Sequence, residues 1–204
     1  MDEAFDRTYE AEFIREQPAI PKGLRHYPSG GKAYQEGRLV RVKPRDADPW
    51  VGVFAFGRTG RFDDLFTCPH PDWMCVVSGN QAYLVDTRNP ERWEHVNGGI
   101  CVTQLMPAAE ANLLLFADHT DIEAWGATGR AWRSARLSLD GLRNLRVDGM
   151  VLRGEGWYPD CWVEFSLDLR TGRHEGGPDR RLLEPGRPPG LWQRLLWKLR
   201  RIPR

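Results

Sequence analysis

Hydrophobic and polar positions follow two different rhythms along this chain, and the change falls near Trp50. Within residues 2–16, Phe5, Tyr9, Phe13 and Ile14 recur at close to helical spacing with acids on the other face. That pattern predicts a short N-terminal helix, ended by Pro18 and Pro21, which lack an amide donor. Residues 23–31 read as loop and residues 38–42 as a first strand. Beyond Trp50, runs of β-branched and aromatic residues end at Gly, Asn or Asp, which predicts strands and tight turns. Residues 75–78 and 81–85 flank Gly79-Asn80, a pair that tolerates the positive φ of a two-residue hairpin. Residues 113–117 and 122–125 predict a second hairpin around Asp118-His119-Thr120-Asp121. Residues 142–147, 150–152 and 162–169 supply further strands. Asp140-Gly141 and Asp148-Gly149 read as turns, because the alternating oxygen ligands of a calcium loop are missing.

One element recurs. "VFAFGRTG" begins at Val53, "YLVDTRNP" at Tyr83, "IEAWGATG" at Ile122 and "FSLDLRTG" at Phe165, with spacings of 30, 39 and 43 residues. Each is a short strand running into a small polar turn, and the later spacings suit the ~40-residue period of four-stranded propeller blades. The stretch "LLLFADHTDIEAWGATGRAWRS" resembles the blade of quinoprotein-type β-propellers, in which a strand, an A-x-x-x-x-G turn and a following Trp recur; "FSLDLRTGR" follows it without the alanine. The resemblance spans about residues 76–177 and implies a mainly β fold of antiparallel hairpins in blade-like units. That family's enzymes hold their cofactor with a pair of adjacent cysteines. No two cysteines are adjacent here, so the cofactor role is not implied. A β-sandwich or barrel meander is the alternative architecture.

The ends carry opposite charge. Residues 1–17 hold six acids and two arginines, and residues 180–204 hold eight basic residues and one glutamate. The chain thus divides into an acidic N-terminal helix (1–17), a loop and first strand (18–49), a β-rich core (50–177), a Pro/Gly linker (178–190) and a basic amphipathic helix (191–204). On that last helix Leu191, Leu195, Leu199 and Ile202 share a face, with Trp192 beside them and Trp197 off it. Docking on the chain's own core is the simplest use of this face. A partner's groove or an anionic membrane surface is the alternative. A net charge of +1 offers no field for nucleic acid. An acidic start without an apolar leader and four cysteines without a framework spacing point to the cytoplasm.

Three groups of residues are candidates for chemistry. Cys68, His70 and Cys75 carry zinc-ligand types, with Cys101 or Cys161 as a distant fourth, but small buried apolar cysteines explain the pattern better. No cofactor is therefore expected, zinc being the alternative. Asp118, His119 and Asp121 could form an acid–base group for a hydrolase-type enzyme, although turn chemistry accounts for them adequately and is the favoured reading. Trp125, Trp132 and Arg133, with Trp192 and Trp197, are the candidate contacts of a non-catalytic protein-binding or accessory protein. That is the function expected from the sequence, with the hydrolase and membrane-surface attachment as alternatives.

Overall fold

The computed structural model describes residues 4–15, 24–29, 36–57, 60, 62–99 and 101–178. Among them sixteen strands form four sheets of four. The first sheet contains β1 (Tyr9–Ile14), β2 (Leu24–Tyr27), β3 (Gly37–Pro44) and β4 (Trp50–Ala55), in the order β1-β3-β4-β2. The other three are simple meanders. The second holds β5 (Asp64–Thr67), β6 (Trp73–Ser78), β7 (Gln81–Asp86) and β8 (Trp93–His95). The third holds β9 (Gln104–Ala108), β10 (Leu113–Ala117), β11 (Ile122–Gly126) and β12 (Gly129–Arg133). The fourth holds β13 (Leu142–Asp148), β14 (Val151–Tyr158), β15 (Cys161–Asp168) and β16 (His174–Gly176). The molecule is mainly β, its sheets are consistent with propeller-like blades, and they close no barrel. The four self-similar sequence fragments begin in β4, β7, β11 and β15, each an inner strand of its sheet.

Two expectations near the N-terminus are corrected. The predicted helix is the strand β1, paired antiparallel with β3 from Tyr9↔Pro44 to Ile14↔Leu39. Tyr9, Ala11 and Phe13 are spaced by two as well as by four, and Glu10 and Glu12 between them meet Lys43 and Arg41 across the strands. The pairing partner selects the period of two. Within the expected loop, Leu24–Tyr27 is a strand that runs parallel to β4 and makes the first sheet mixed. Its Tyr27 ring stacks on Phe54 at 4.6 Å. β4 therefore belongs to a sheet whose other strands all precede residue 50. The expected C-terminal helix, with Trp192 and Trp197, lies outside the described residues.

The sheets stack face to face in chain order, and alternate side chains of each inner strand serve opposite seams. Met74, Val76, Tyr83 and Val85 pack against Tyr9, Val42, Trp50 and Phe54 of the first sheet. Their neighbours Cys75, Val77, Ala82 and Leu84 pack against Leu114 and Phe116 of the third. The opposite face of the third sheet, with Leu115, Ala117, Ile122 and Ala124, meets Leu152, Phe165 and Leu167 of the fourth. Strands buried on both faces have no polar alternation, which is why β4, β10 and residues 82–85 of β7 read as unbroken apolar runs. β14 has only one buried face, and Arg153 and Glu155 interrupt Leu152, Gly154 and Gly156. Large rings in the first seam anchor their polar tips on carbonyls across it: Tyr83 Oη donates to Ala55 O at 3.0 Å and Trp50 Nε1 to Thr87 O at 2.9 Å. Burial pushes the Tyr83 phenol above its ordinary range, which keeps it a neutral donor.

The hairpin at Gly79-Asn80 forms as its residues require, with φ of 55° and 68°. Asn80 also ties the second sheet to the segment that leads into the third. Its Nδ2 donates to Val102 O at 2.8 Å, and Val102 N donates to Asn80 O at 2.7 Å.

Candidate functional site

The second and third sheets are held together at the Asn80 end, and at the opposite end of β6 and β7 they part. The space between them is a cleft of about 520 Å³. Twisted sheets packed face to face diverge toward their corners, so a tie at one end leaves the other open. His70, Asp72, Trp73, Asp86, Arg92 and Glu94 come from the second sheet and its turns. Leu114, Trp125 and the turn of residues 126–129 come from the third, with Cys68 and Leu84 also lining the space.

Asp86, Arg92 and Asp72 are each held by a neighbouring group. Asp86 ends β7, and its Oδ1 accepts the Arg88 and Asn89 amides at 3.0 Å, an Asx turn that reverses the chain into β8. Asp168 does the same after β15, accepting the Arg170 amide at 2.9 Å. Asp86 Oδ2 lies 3.3 Å from Arg92 Nη1, and the Arg92 guanidinium sits over the Trp73 ring, 5.7 Å from its centroid. The Asp72 carboxylate accepts the Thr8 hydroxyl and lies 3.5 Å from Arg88. The Thr8 hydrogen bond, aided by Arg88, holds Asp72 below the usual carboxylate range against the opposing pull of burial.

The third sheet supplies a charged ladder beside the cleft. Asp121, just before β11, and Glu123 and Trp125 within it occupy alternate positions and so share a face. β12 carries a bulge opposite Ala124 and Trp125: Arg130 pairs with Trp125, Trp132 with Ala124 and Arg133 with Glu123. Ala131 is the extra residue. Arg130 and Arg133, three apart in sequence, thereby face the same side, and Trp132 faces the other. Trp125 Nε1 donates to Glu123 Oε1 at 2.6 Å, Glu123 is 2 % exposed, and Arg130 lies 3.9 Å from its second oxygen. Arg133 grips Asp121 with both arms, Nε to Oδ1 at 2.7 Å and Nη2 to Oδ2 at 2.9 Å.

The residues expected from sequence are thus placed. Asp118 Oδ1 accepts the Thr120 and Asp121 amides at 2.5 and 2.8 Å, which closes the β10–β11 turn. His119 turns outward, its Nδ1 3.8 Å from Asp140 at the surface. Asp118 and Asp121 come together with Arg133; His119 sits with Asp140 instead. Trp125 lines the cleft, whereas Trp132 packs on the opposite face of the sheet and donates Nε1 to Leu169 O at 2.7 Å. Cys68 and Cys75 are buried in the seam between the second and third sheets, and burial pushes both thiols well above their ordinary range. The His70 ring Nδ1 accepts the Asp72 amide at 3.2 Å and shapes the turn. Among the described residues, no group of three His, Cys, Asp or Glu stands close enough to hold a metal ion. No helix among them is long and apolar enough to cross a membrane.

Nothing in the sequence pattern singles out Asp72, Trp73, Asp86, Arg92, Glu94 or Glu123. Trp73 lies inside "CPHPDWMC", where the cysteines and histidine draw attention instead. Its signal was the tryptophan itself, opening an apolar strand after an Asp-containing turn.

No family model matches this chain, and no curated protein matches it. One similar solved structure is titled "Crystal structure of the eukaryotic initiation factor", with a TM-score of 0.40 and 12% identity over 68% of this chain and 40% of that chain. The match thus spans less than half of that structure, and a likeness this distant bears on neither fold nor function.

Proposed function

We propose that this chain is a non-catalytic polypeptide-binding module that contacts its partner through the cleft between the second and third sheets. The observation that carries this reading is the cleft's construction. Two half-buried indoles, Trp73 and Trp125, line a space in which the Asp72 and Asp86 carboxylates and the Arg92 guanidinium are already held. Its volume falls within the ~300–1,000 Å³ of ligand clefts. Trp and Arg anchors in a rigid frame are what contact hot spots use, and pre-formed walls reduce the ordering cost of binding. The propeller-like stacking supports the same reading, since it sets the two walls as separate rigid blades. Hydrolysis by Asp118, His119 and Asp121 has less support, because both carboxylates are engaged by the turn and by Arg133, and the histidine faces away toward Asp140.

Selection of a displayed random-peptide library on the purified protein tests the reading. Thr128, exposed on the turn at the cleft's edge, gives a blocking variant, Thr128→Tyr, that touches no core position. Enriched sequences are expected on the unmodified protein, with affinity reduced about tenfold or more in Thr128→Tyr at an unchanged melting temperature. No enrichment, or equal binding by both forms, would overturn it.

A further inference from the structure

We infer that the cleft selects a basic side chain, an arginine or lysine of the bound polypeptide; this rests on the binding reading above. The wall chemistry carries it. Three carboxylates line the cleft, those of Asp72, Asp86 and Glu94, against one guanidinium, that of Arg92. Two of the carboxylates have cationic neighbours, Arg88 beside Asp72 and Arg92 beside Asp86. Glu94 stands exposed on β8 and forms no ion pair among the described residues.

Arg92 shows what the cleft does with a cation. Its guanidinium lies over the Trp73 face with a carboxylate beside it. The third sheet repeats the aromatic half of that arrangement. Trp125 donates its ring N–H to the buried Glu123 carboxylate, so negative charge sits at the edge of the indole. An anion there makes the ring's π-face more negative, and tryptophan is already the best aromatic partner for a cation. Among the described residues no cation lies over that ring. Arg130, across the strands from Trp125, is directed to Glu123 at 3.9 Å instead. An incoming guanidinium or ammonium would thus find an aromatic face on one wall and the Glu94 carboxylate on the other. Arginine suits the site better than lysine, since its planar head stacks and still offers N–H donors at its edge.

The test separates this inference from the reading it deepens. Peptides from the selection are synthesised with a fluorophore, and their affinities measured by anisotropy for the unmodified protein, Glu94→Lys and Trp125→Phe. Recovered sequences are expected to share one Arg or Lys. Changing that residue to Ala should weaken binding about tenfold. Glu94→Lys, at an exposed position, should weaken the basic peptides about tenfold without lowering the melting temperature, and Trp125→Phe should weaken them by a smaller factor. Recovered sequences that lack a basic residue but still fail on Thr128→Tyr would overturn the selectivity and leave the cleft reading standing. Basic peptides indifferent to Glu94→Lys would overturn it too. If no sequence is recovered, both fall.

Discussion

Trp125 and Trp132 belong to one hairpin, seven residues apart, and serve opposite faces of the third sheet. Trp132 closes a seam. It pairs with Ala124, packs among the apolar residues of the third and fourth sheets, and donates to Leu169 O at 2.7 Å. The backbone of Gly172 lies so close that a Cβ there would stand 2.7 Å from the indole. Trp125 faces the other way, toward the second sheet, and lines a cleft instead. The neighbouring strands decide the difference. The fourth sheet brings a carbonyl and a glycine against one indole, and the second sheet, tied to the third at Asn80, diverges from the other. The same residue type is thus a structural latch on one face and an open aromatic surface on the other.

The comparison is broken most directly by truncation. Trp132→Ala removes seam packing and a cross-sheet hydrogen bond, and should cost about 3 kcal/mol in urea denaturation. Trp125→Ala should cost about half that while abolishing peptide binding. Equal losses would erase the distinction. Gly172→Ala comes next, at about 2 kcal/mol, because the residue has φ of 67° and the added methyl meets the Trp132 ring. The part due to the clash should vanish in the Trp132→Ala background while the cost of the positive φ remains, a double-mutant cycle that shows the two are coupled.

Arg133→Ala leaves the nearly buried Asp121 carboxylate without its two-armed partner. The Arg133 side chain is 39% exposed, so the effect is discounted to about 1–2 kcal/mol, read by thermal denaturation and reduced when Asp121→Asn is added.

The smallest effect concerns pH. Asp72 titrates below its unfolded value, so its contribution is fully present above that value and is lost as pH falls through the depressed folded value. Asp72 belongs to the cleft wall, whereas the seam latch at Trp132 is neutral. Acid should therefore loosen the second sheet's turn first. In a denaturation series below about pH 4, Asp72→Asn should flatten the fall in stability, and an unchanged slope would count against the link to Thr8.

What the sequence reveals follows from the range of the interactions. The 79–80 hairpin, the Asp turns and the recurring strand-and-turn fragments are local, and their residues announce them. β1 is not local. Its residues fit two periods, and only β3, far along the chain, selects one. β2 is shorter still and borrows its order from the parallel β4 and the Phe54 ring. The cleft is the least legible part, because its walls come from two sheets and its opening depends on where those sheets are tied. Trp125 was visible as a candidate, but its difference from Trp132 rests on a bulge at Ala131 and on packing across separate seams.

The most direct measurement is ¹⁹F NMR of protein labelled with 5-fluorotryptophan, with resonances assigned by single Trp→Phe variants and titrated with an arginine-bearing peptide from the selection. The account predicts that the Trp125 resonance shifts with saturation, Trp73 follows it, and Trp132 stays in place. A peptide that binds yet moves Trp132 and leaves Trp125 unchanged would contradict it.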